Sequence, residues 1–395
     1  MPHLTRNLKA QPLIRKNAKR NCQTPYQNRK KNPKISKAYK YKVCYICNTM
    51  TDALNTMNRE MNREIDLYIL KHINAVDGNI EEAAFAAEAF AAEDVKKRAL
   101  EIREYRKELK VLLQLPLMKQ RTEEWYEARK TRLTASDLSD AIKGGSGSIK
   151  LAKKKANIIV DTINYNAIPA LKWGTMFEPM ATRCYSQKMN NIEIHDFGLV
   201  CDTENEHFGA SPDGINELGI MLEIKCPYSR KIVDGVIPEK YKMQIQGQLA
   251  VCKLKECDYI ECVFKSLESV EEYLALDGDR GEGEKHGVIA EYYNPKGEYV
   301  YYYSEPNQTP KECVDEMCIG SDDERSERIR SEKLKFSKYT YWRLDEMIIQ
   351  RVVFNADMWK TIVPKINTFW ESVEEYKLLP IELGIKKYTF VDDDE

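Results

Sequence analysis

The sequence predicts an α/β (α+β) fold, a mixed central β-sheet flanked by helices, with a helical extension ahead of it. Three observations carry that expectation. Residues 220–226, 288–293 and 299–303 are short runs rich in aliphatic and aromatic residues, bounded by Gly, Pro or Asn, as strands are. Segments of helical composition and spacing lie before, between and after them. The hydrophobic content of 43% supports a sizeable core, and no stretch approaches the ~18 apolar residues of a membrane span. The 395 residues suit one large domain with additions, or two ordinary ones.

The net charge of −1 hides an asymmetry. Residues 1–42 hold 13 Lys/Arg and no Asp or Glu, which leaves 48 basic against 62 acidic residues in the remainder. Residues 1–51 therefore read as a disordered basic arm. Three roles stay open for it: holding DNA phosphates without sequence preference, a nuclear-localisation signal around Arg29-Lys30-Lys31, or a solubilising tail. There is no apolar block of a signal peptide at the start, so a soluble, intracellular protein without a membrane partner is expected. The 11 cysteines fit reduced, mostly buried thiols. Cys44 and Cys47 form a pair without a second pair to complete a zinc site, and read as ordinary cysteines.

Residues 52–116 read as the helical extension. Leu67, Leu70 and Ile73 lie at helical spacing before the Asp77-Gly78-Asn79 break, and residues 81–113 are rich in strong helix formers, ended by Pro116. Residues 117–270 form the core that carries the chemistry. Residues 271–395 complete it with a hairpin turning at Asn294-Pro295-Lys296-Gly297, a charged helix over 322–335, a strand over 339–344, and two helices before and after Pro364. The acidic end, 392–395, reads as loose.

The informative segment is Ser211-Pro212-Asp213-Gly214, a turn at Asn216 to Gly219, then Glu223-Ile224-Lys225-Cys226-Pro227. Side chains alternate along a strand, so Met221, Glu223 and Lys225 share one face and Ile220, Leu222 and Ile224 the other. Asp213 can fold back beside Glu223 across the hairpin. Two carboxylates on adjacent strands suit Mg²⁺, a hard ion that prefers oxygen and keeps several waters; Mn²⁺ suits the same ligands. A neighbouring lysine can orient a water and offset charge developing on a phosphoryl group. This pattern fits phosphodiester hydrolysis, although an exposed Glu-x-Lys is more often a plain surface pair. Upstream, Trp173 to Glu178 is read as opening a helix, because Pro179 is best tolerated in a first turn. That reading puts Glu178 at the positive helix end. Downstream, Pro238 opens a helix on which Tyr241, Gln244 and Gln248 share a face, as a cleft lining would. Aromatic residues over 292–303 and 339–342 could stack on bases, though such residues more often fill cores.

Taken together, Glu124-Trp125-Tyr126-Glu127-Ala128-Arg129, Leu133-Thr134-Ala135-Ser136, Gly174 with Glu178, Ser211 to Gly214, Glu223 to Pro227, and Tyr241 with Gln244 and Gln246 resemble the phage lambda exonuclease and YqaJ-type viral recombinase family of the PD-(D/E)xK nuclease superfamily. The closing region, Tyr341 to Asp345 and Phe369-Trp370, is similar to the versions of large eukaryotic DNA viruses. The resemblance implies a restriction-endonuclease-like core and a Mg²⁺-dependent exonuclease working 5′ to 3′ from duplex DNA ends, for recombination, replication or repair at a viral replication site in nucleus or cytoplasm. It implies Asp213, Glu223 and the Ile224 carbonyl as metal ligands, with Glu178 supporting them. Lys225 is the implied catalytic lysine, and Gln244 the glutamine that steadies water or lysine. Arg129, Ser136 and Ser211 are the implied DNA-phosphate grip. A single-strand annealing or binding protein is the implied partner, and an oligomer is open. An endonuclease of the same superfamily and a catalytically silent DNA-binding protein are the alternatives.

Overall fold

The computed structural model describes residues 59–78, 92–116, 118–159, 168–278, 285–319 and 323–379. The basic arm, the Cys44/Cys47 pair, most of the Ala-rich run at 83–92 and the acidic end lie outside them. The chain separates into two compact units, Met1–Glu101 and Ile102–Glu395. In the first, residues 59–71 and the short helix Ile73–Asp77 are helical. The buried Asp66 carboxylate is held there by Arg98, whose Nε and Nη2 donate over 2.7 and 3.2 Å.

Among the described residues the second unit contains ten strands: β1 (Leu133–Thr134), β2 (Ile194–His195), β3 (Val200–Cys201), β4 (Phe208–Ala210), β5 (Gly214–Asn216), β6 (Met221–Lys225), β7 (Glu256–Leu267), β8 (His286–Tyr293), β9 (Tyr299–Tyr303) and β10 (Lys335–Val353). A seven-stranded sheet runs β2-β5-β6-β7-β10-β8-β9, and a three-stranded sheet runs β1-β4-β3. This is the mixed sheet with flanking helices that the sequence predicts. In the large sheet β6 and β7 pair in parallel and every other pair is antiparallel. Parallel strands need a crossover, and the helix Glu239–Val251 supplies it.

Strands β6 and β7 lie inside the sheet, and helices pack on both faces of it there. In β6, beyond Met221, Leu222 and Ile224, Glu223 is fully buried as well, and only Lys225 at its end is partly open. On one side the helix Pro169–Lys188 packs through Phe177, which stacks on Phe264 of β7 at 4.5 Å. Burying such a ring contributes about 1.5–3 kcal/mol. On the other side Tyr241 of the crossover helix lies 5.9 Å from Tyr259 of β7. The hairpin between β5 and β6 turns at Gly219, whose φ is +78 and whose place for a Cβ lies 2.6 Å from the Tyr105 backbone, so only glycine fits.

Four element boundaries differ from the sequence reading. The charged helix expected over 322–335 ends at Ser331, and Lys335 already opens β10. The helix expected to open at Trp173 begins at Pro169, the favoured first-turn position for proline. Pro179 is then interior and Glu178 sits mid-helix, so the helix end does not favour its charge. The strand expected over 339–344 runs from Lys335 to Val353. A register shift between Leu344 and Glu346 breaks its alternation where the sequence pattern fades. The two helices expected around Pro364 are one, Ala356–Lys377, because burial of Ile362, Ile366, Phe369, Trp370 and Val373 along one face outweighs the hydrogen bond that the proline removes.

Candidate active site

The strand ends near the parallel pair assemble the site. Asp213 immediately precedes β5, and its Oδ2 accepts the Ile224 backbone N–H at 2.7 Å, which pins it beside β6. Glu223, one residue earlier, points toward the crossover helix. Its Oε2 accepts a hydrogen bond from Gln248 Nε2 at 2.7 Å, and its Oε1 is engaged by the Lys225 ammonium. Lys225 Nζ also lies 5.2 Å from the centre of the Tyr241 ring, a cation–π contact that keeps the ammonium at the cleft.

The electrostatics of this group are unbalanced. Burial and the neighbouring Glu223 carboxylate push the Asp213 carboxyl well above its usual range, and the Lys225 charge and the Ile224 N–H only partly oppose them. Lys225 is held above its usual range despite its own burial, because Glu223 and Asp213 both favour its charged form. Asp213 Oδ1 accepts no hydrogen bond from the described residues.

A cavity of about 180 Å³ opens from Asp213 and is lined by Gln120, Trp125, Arg129, Ser136, Ser211 and Gln244, among others. The short helix Glu123–Lys130, capped by the Thr122 side chain, presents Trp125 and Arg129 to it. Arg129 stacks 4.2 Å over the Trp125 ring and donates through Nη2 to Thr134 Oγ1 and Ser136 Oγ, both at 3.3 Å. The Trp125 indole N–H donates to Ser211 Oγ at 3.1 Å. Behind them Lys155 donates to the Arg129 carbonyl at 2.9 Å and pairs with Asp137 at 3.5 Å. Burial draws the pKa of the Arg129 guanidinium down, which favours an anionic partner for it.

The geometry thus brings Asp213, Ser211, Gln244, Arg129 and Ser136 to one cavity, with Glu223 and Lys225 adjoining Asp213. Glu178 stands apart. Its Oε2 takes an ion pair from Arg121 at 3.2 Å, and its charge reaches Asp213 without sharing a cage with it. Among the described residues no three His, Cys, Asp or Glu side chains are grouped to hold a metal between them. The acidic ligands expected from sequence therefore come down to the Asp213/Glu223 pair in this arrangement. A pair plus a backbone carbonyl still fits an ion that keeps most of its own waters, as Mg²⁺ does. The cost of ionising Asp213 beside Glu223 is what such an ion would offset.

Two contributors, Lys155 and Gln120, were missed in the sequence reading, and two, Gln248 and Thr134, were named there without the contacts they make. Gln248, not Gln244, hydrogen-bonds Glu223, while Gln246 faces away to Val353 and Asn355. The shared helix face of Gln244 and Gln248 was the available signal. Thr134 lies inside the quoted Leu-Thr-Ala-Ser motif. Lys155 and Gln120, which ties the Phe197 and Pro212 carbonyls together at 2.9 and 3.1 Å, carry no sequence signal.

Residues 124–255 match the model of the YqaJ-like viral recombinase domain. The matched segment includes Asp213, Glu223 and Lys225 and most of the residues that line the cavity. It is 25% identical over 327 residues to uncharacterized protein R354 of Acanthamoeba polyphaga mimivirus, covering 68% of this chain and 55% of the relative. It is 27% identical over 178 residues to protein D345L of African swine fever virus (isolate Tick/Malawi/Lil 20-1/1983), covering 37% and 50%. The chain spans about half the length of these curated relatives. Among solved structures, the alkaline exonuclease LHK-Exo of Laribacter hongkongensis aligns with a TM-score of 0.40 at 19% identity, over 64% of this chain and 93% of that one.

Proposed function

We infer that this chain is a divalent-metal-dependent deoxyribonuclease that degrades duplex DNA from its ends, 5′ to 3′. The observation that carries the reading is one cavity with a basic grip at one side and, at the other, Asp213, the under-compensated carboxylate that adjoins Glu223 and Lys225. A terminal phosphate held by Arg129, Ser136 and Ser211 sets the next phosphodiester toward Asp213. That favours hydrolysis counted from an end over cutting within a closed duplex, and grip on a 5′ phosphate gives the polarity.

Asp213, Glu223 and the Ile224 carbonyl would hold the metal, with Glu178 in support. When bound, Mg²⁺ supplies Lewis acidity toward a phosphoryl oxygen and eases deprotonation of the attacking water. The chain's own residues do the rest. Lys225 offers its ammonium to charge that develops on the phosphoryl oxygens. Gln248 fixes the Glu223 carboxylate, and Gln244 faces the cavity where a water or the phosphate can be met. Trp125 under Arg129 keeps the guanidinium planar to the cleft and ready for a phosphate. Strands freed in this way would serve recombination, replication or repair, with a single-strand annealing or binding protein as the natural recipient.

The test is a time course with Mg²⁺ on linear duplex DNA labelled separately at each end, beside closed circular DNA. Loss of the 5′ label first, with circles intact, is expected. Cutting of circles would make the enzyme an endonuclease. Binding without hydrolysis in either Mg²⁺ or Mn²⁺ would leave a silent DNA-binding protein.

A further inference from the structure

On the helix Pro169–Lys188, beyond Glu178, a second recess opens that the proposed chemistry does not use. It has a volume of about 50 Å³ and lies between Arg183 and Gln187 of the helix, Lys285 and His286 at the start of β8, residues 304–308 after β9, and Trp342 of β10. One water needs roughly 10–15 Å³, so the recess admits something larger than a single water. Its wall is cationic: Arg183 and Lys285 face it together, and the one acid, Glu305, is exposed. Both cations lie close enough to the buried Cys184 thiol on the same wall to oppose the rise in its pKa to about 11 that burial causes.

The wall also carries hydrogen-bonding groups without partners. Trp342 is 4% exposed, and its indole Nε1–H is buried with no acceptor. Gln308 Oε1 is likewise buried and unpartnered. Buried polar groups are nearly always satisfied, and each one left alone costs about 1–3 kcal/mol. A buried donor beside two cations fits an oxyanion. The helix continues from Glu178 to Arg183 and Gln187, five to nine residues on. At 1.5 Å per residue this is on the order of 7–14 Å. A DNA strand rising 3.4 Å per nucleotide covers that distance in about two to four nucleotides. Tyr303 joins the two places: its ring lies 5.8 Å from Arg183, and the charges of Arg121 and Glu178 also reach it.

We propose that the Arg183–Lys285–Trp342 recess is a phosphate-binding subsite that takes a backbone phosphate of the DNA strand a few nucleotides from the bond being cut. Arg183 and Lys285 supply the charge, and the Trp342 indole N–H supplies the hydrogen bond. Its assignment to DNA rests on the deoxyribonuclease reading, whereas its affinity for phosphate does not.

Two measurements on the full chain test it. In the first, the Trp342 indole ¹H–¹⁵N resonance, identified through Trp342→Phe, is followed against inorganic phosphate, with chloride at equal ionic strength as control. A saturable shift is expected with phosphate only, and it should vanish in Arg183→Gln/Lys285→Gln. No saturable shift, or the same shift in the double variant, overturns the site. In the second, DNA affinity is measured against salt in an Asp213→Asn background, so that the DNA stays whole. Loss of one phosphate contact should lower the log–log salt slope by about 0.7–0.9 in the double variant. An unchanged slope with a retained indole shift overturns the DNA assignment and makes the ligand a free phosphate or mononucleotide. Neither arm requires hydrolysis, so failure of the nuclease reading would be seen separately, in the end-label assay.

Discussion

Two acid pairs lie on neighbouring strands of the large sheet and are treated differently. On β7, Glu256 and Asp258 share the Arg351 guanidinium from β10. Its Nε donates to Asp258 Oδ1 at 2.7 Å and its Nη2 to Oδ2 at 3.3 Å, while its Nη1 engages Glu256. Tyr185 donates to Asp258 at 2.7 Å, Tyr105 donates to Glu256 at 3.1 Å, and Asn216 supports Tyr185 at 3.1 Å. All four carboxylate oxygens have donors. At Asp213 and Glu223 a single ammonium engages Glu223, and one Asp213 oxygen takes nothing from the described residues. The first pair is closed and locks helices to the sheet. The second is left open on a cavity, where an added cation and an anionic substrate can complete it. The contrast teaches that burial of charge alone does not mark a site, whereas burial without full compensation beside a cleft does.

Mutation should separate the two pairs. The largest effect is expected at the open one. Asp213→Asn or Lys225→Ala should lower the rate of nucleotide release from labelled linear duplex by about 10³-fold or more, with DNA affinity nearly unchanged. A comparable loss of affinity in a filter-binding assay would make these residues binders instead. At the closed pair, Arg351→Met should cost about 3–5 kcal/mol of stability, read by urea unfolding, because it strands two buried carboxylates. A stability within 1 kcal/mol of wild type would show that water already serves them. Between these extremes, Gln248→Leu should lower the rate by about 10–100-fold, as loss of a residue that orients a metal ligand does, and Gln244→Leu by less. The reverse ranking would restore Gln244 as the principal glutamine.

The smallest effect is on stability against pH. The Asp213 carboxyl sits above its unfolded value of about 3.9, so the folded state binds its proton more tightly than the unfolded state does. Stability from this group is greatest below pH 4 and is lost as pH rises through the raised folded value. In chelator at neutral pH, Asp213→Asn should therefore be more stable than wild type by about 1–2 kcal/mol, and the gap should close toward pH 4. A variant less stable than wild type at both ends would contradict the imbalance.

How much of this is legible in the sequence follows from how local each feature is. Glu223, Lys225 and Asp213 could be placed together because strand alternation and one tight hairpin fix them within thirteen residues. The mixed sheet could be read from the same kind of local pattern. The length of β10 could not, since the irregularity near Asp345 interrupts the alternation on which such a reading depends. Pro179 and Pro364 were read as helix boundaries because proline removes a hydrogen bond, but each sits in a helix whose buried face decides the matter. The choice of Gln248 over Gln244, and the roles of Lys155, Gln120 and the Arg183 recess, depend on side chains brought together from distant segments. No periodicity reports them.

The most direct test of the central claim is calorimetric titration of the metal-free chain with Mg²⁺ or Mn²⁺, in wild type and in Asp213→Asn. One divalent ion per chain is expected in wild type, with affinity at least tenfold weaker in the variant and no such loss in Arg351→Met that remains folded. Equal binding by wild type and Asp213→Asn would contradict the account.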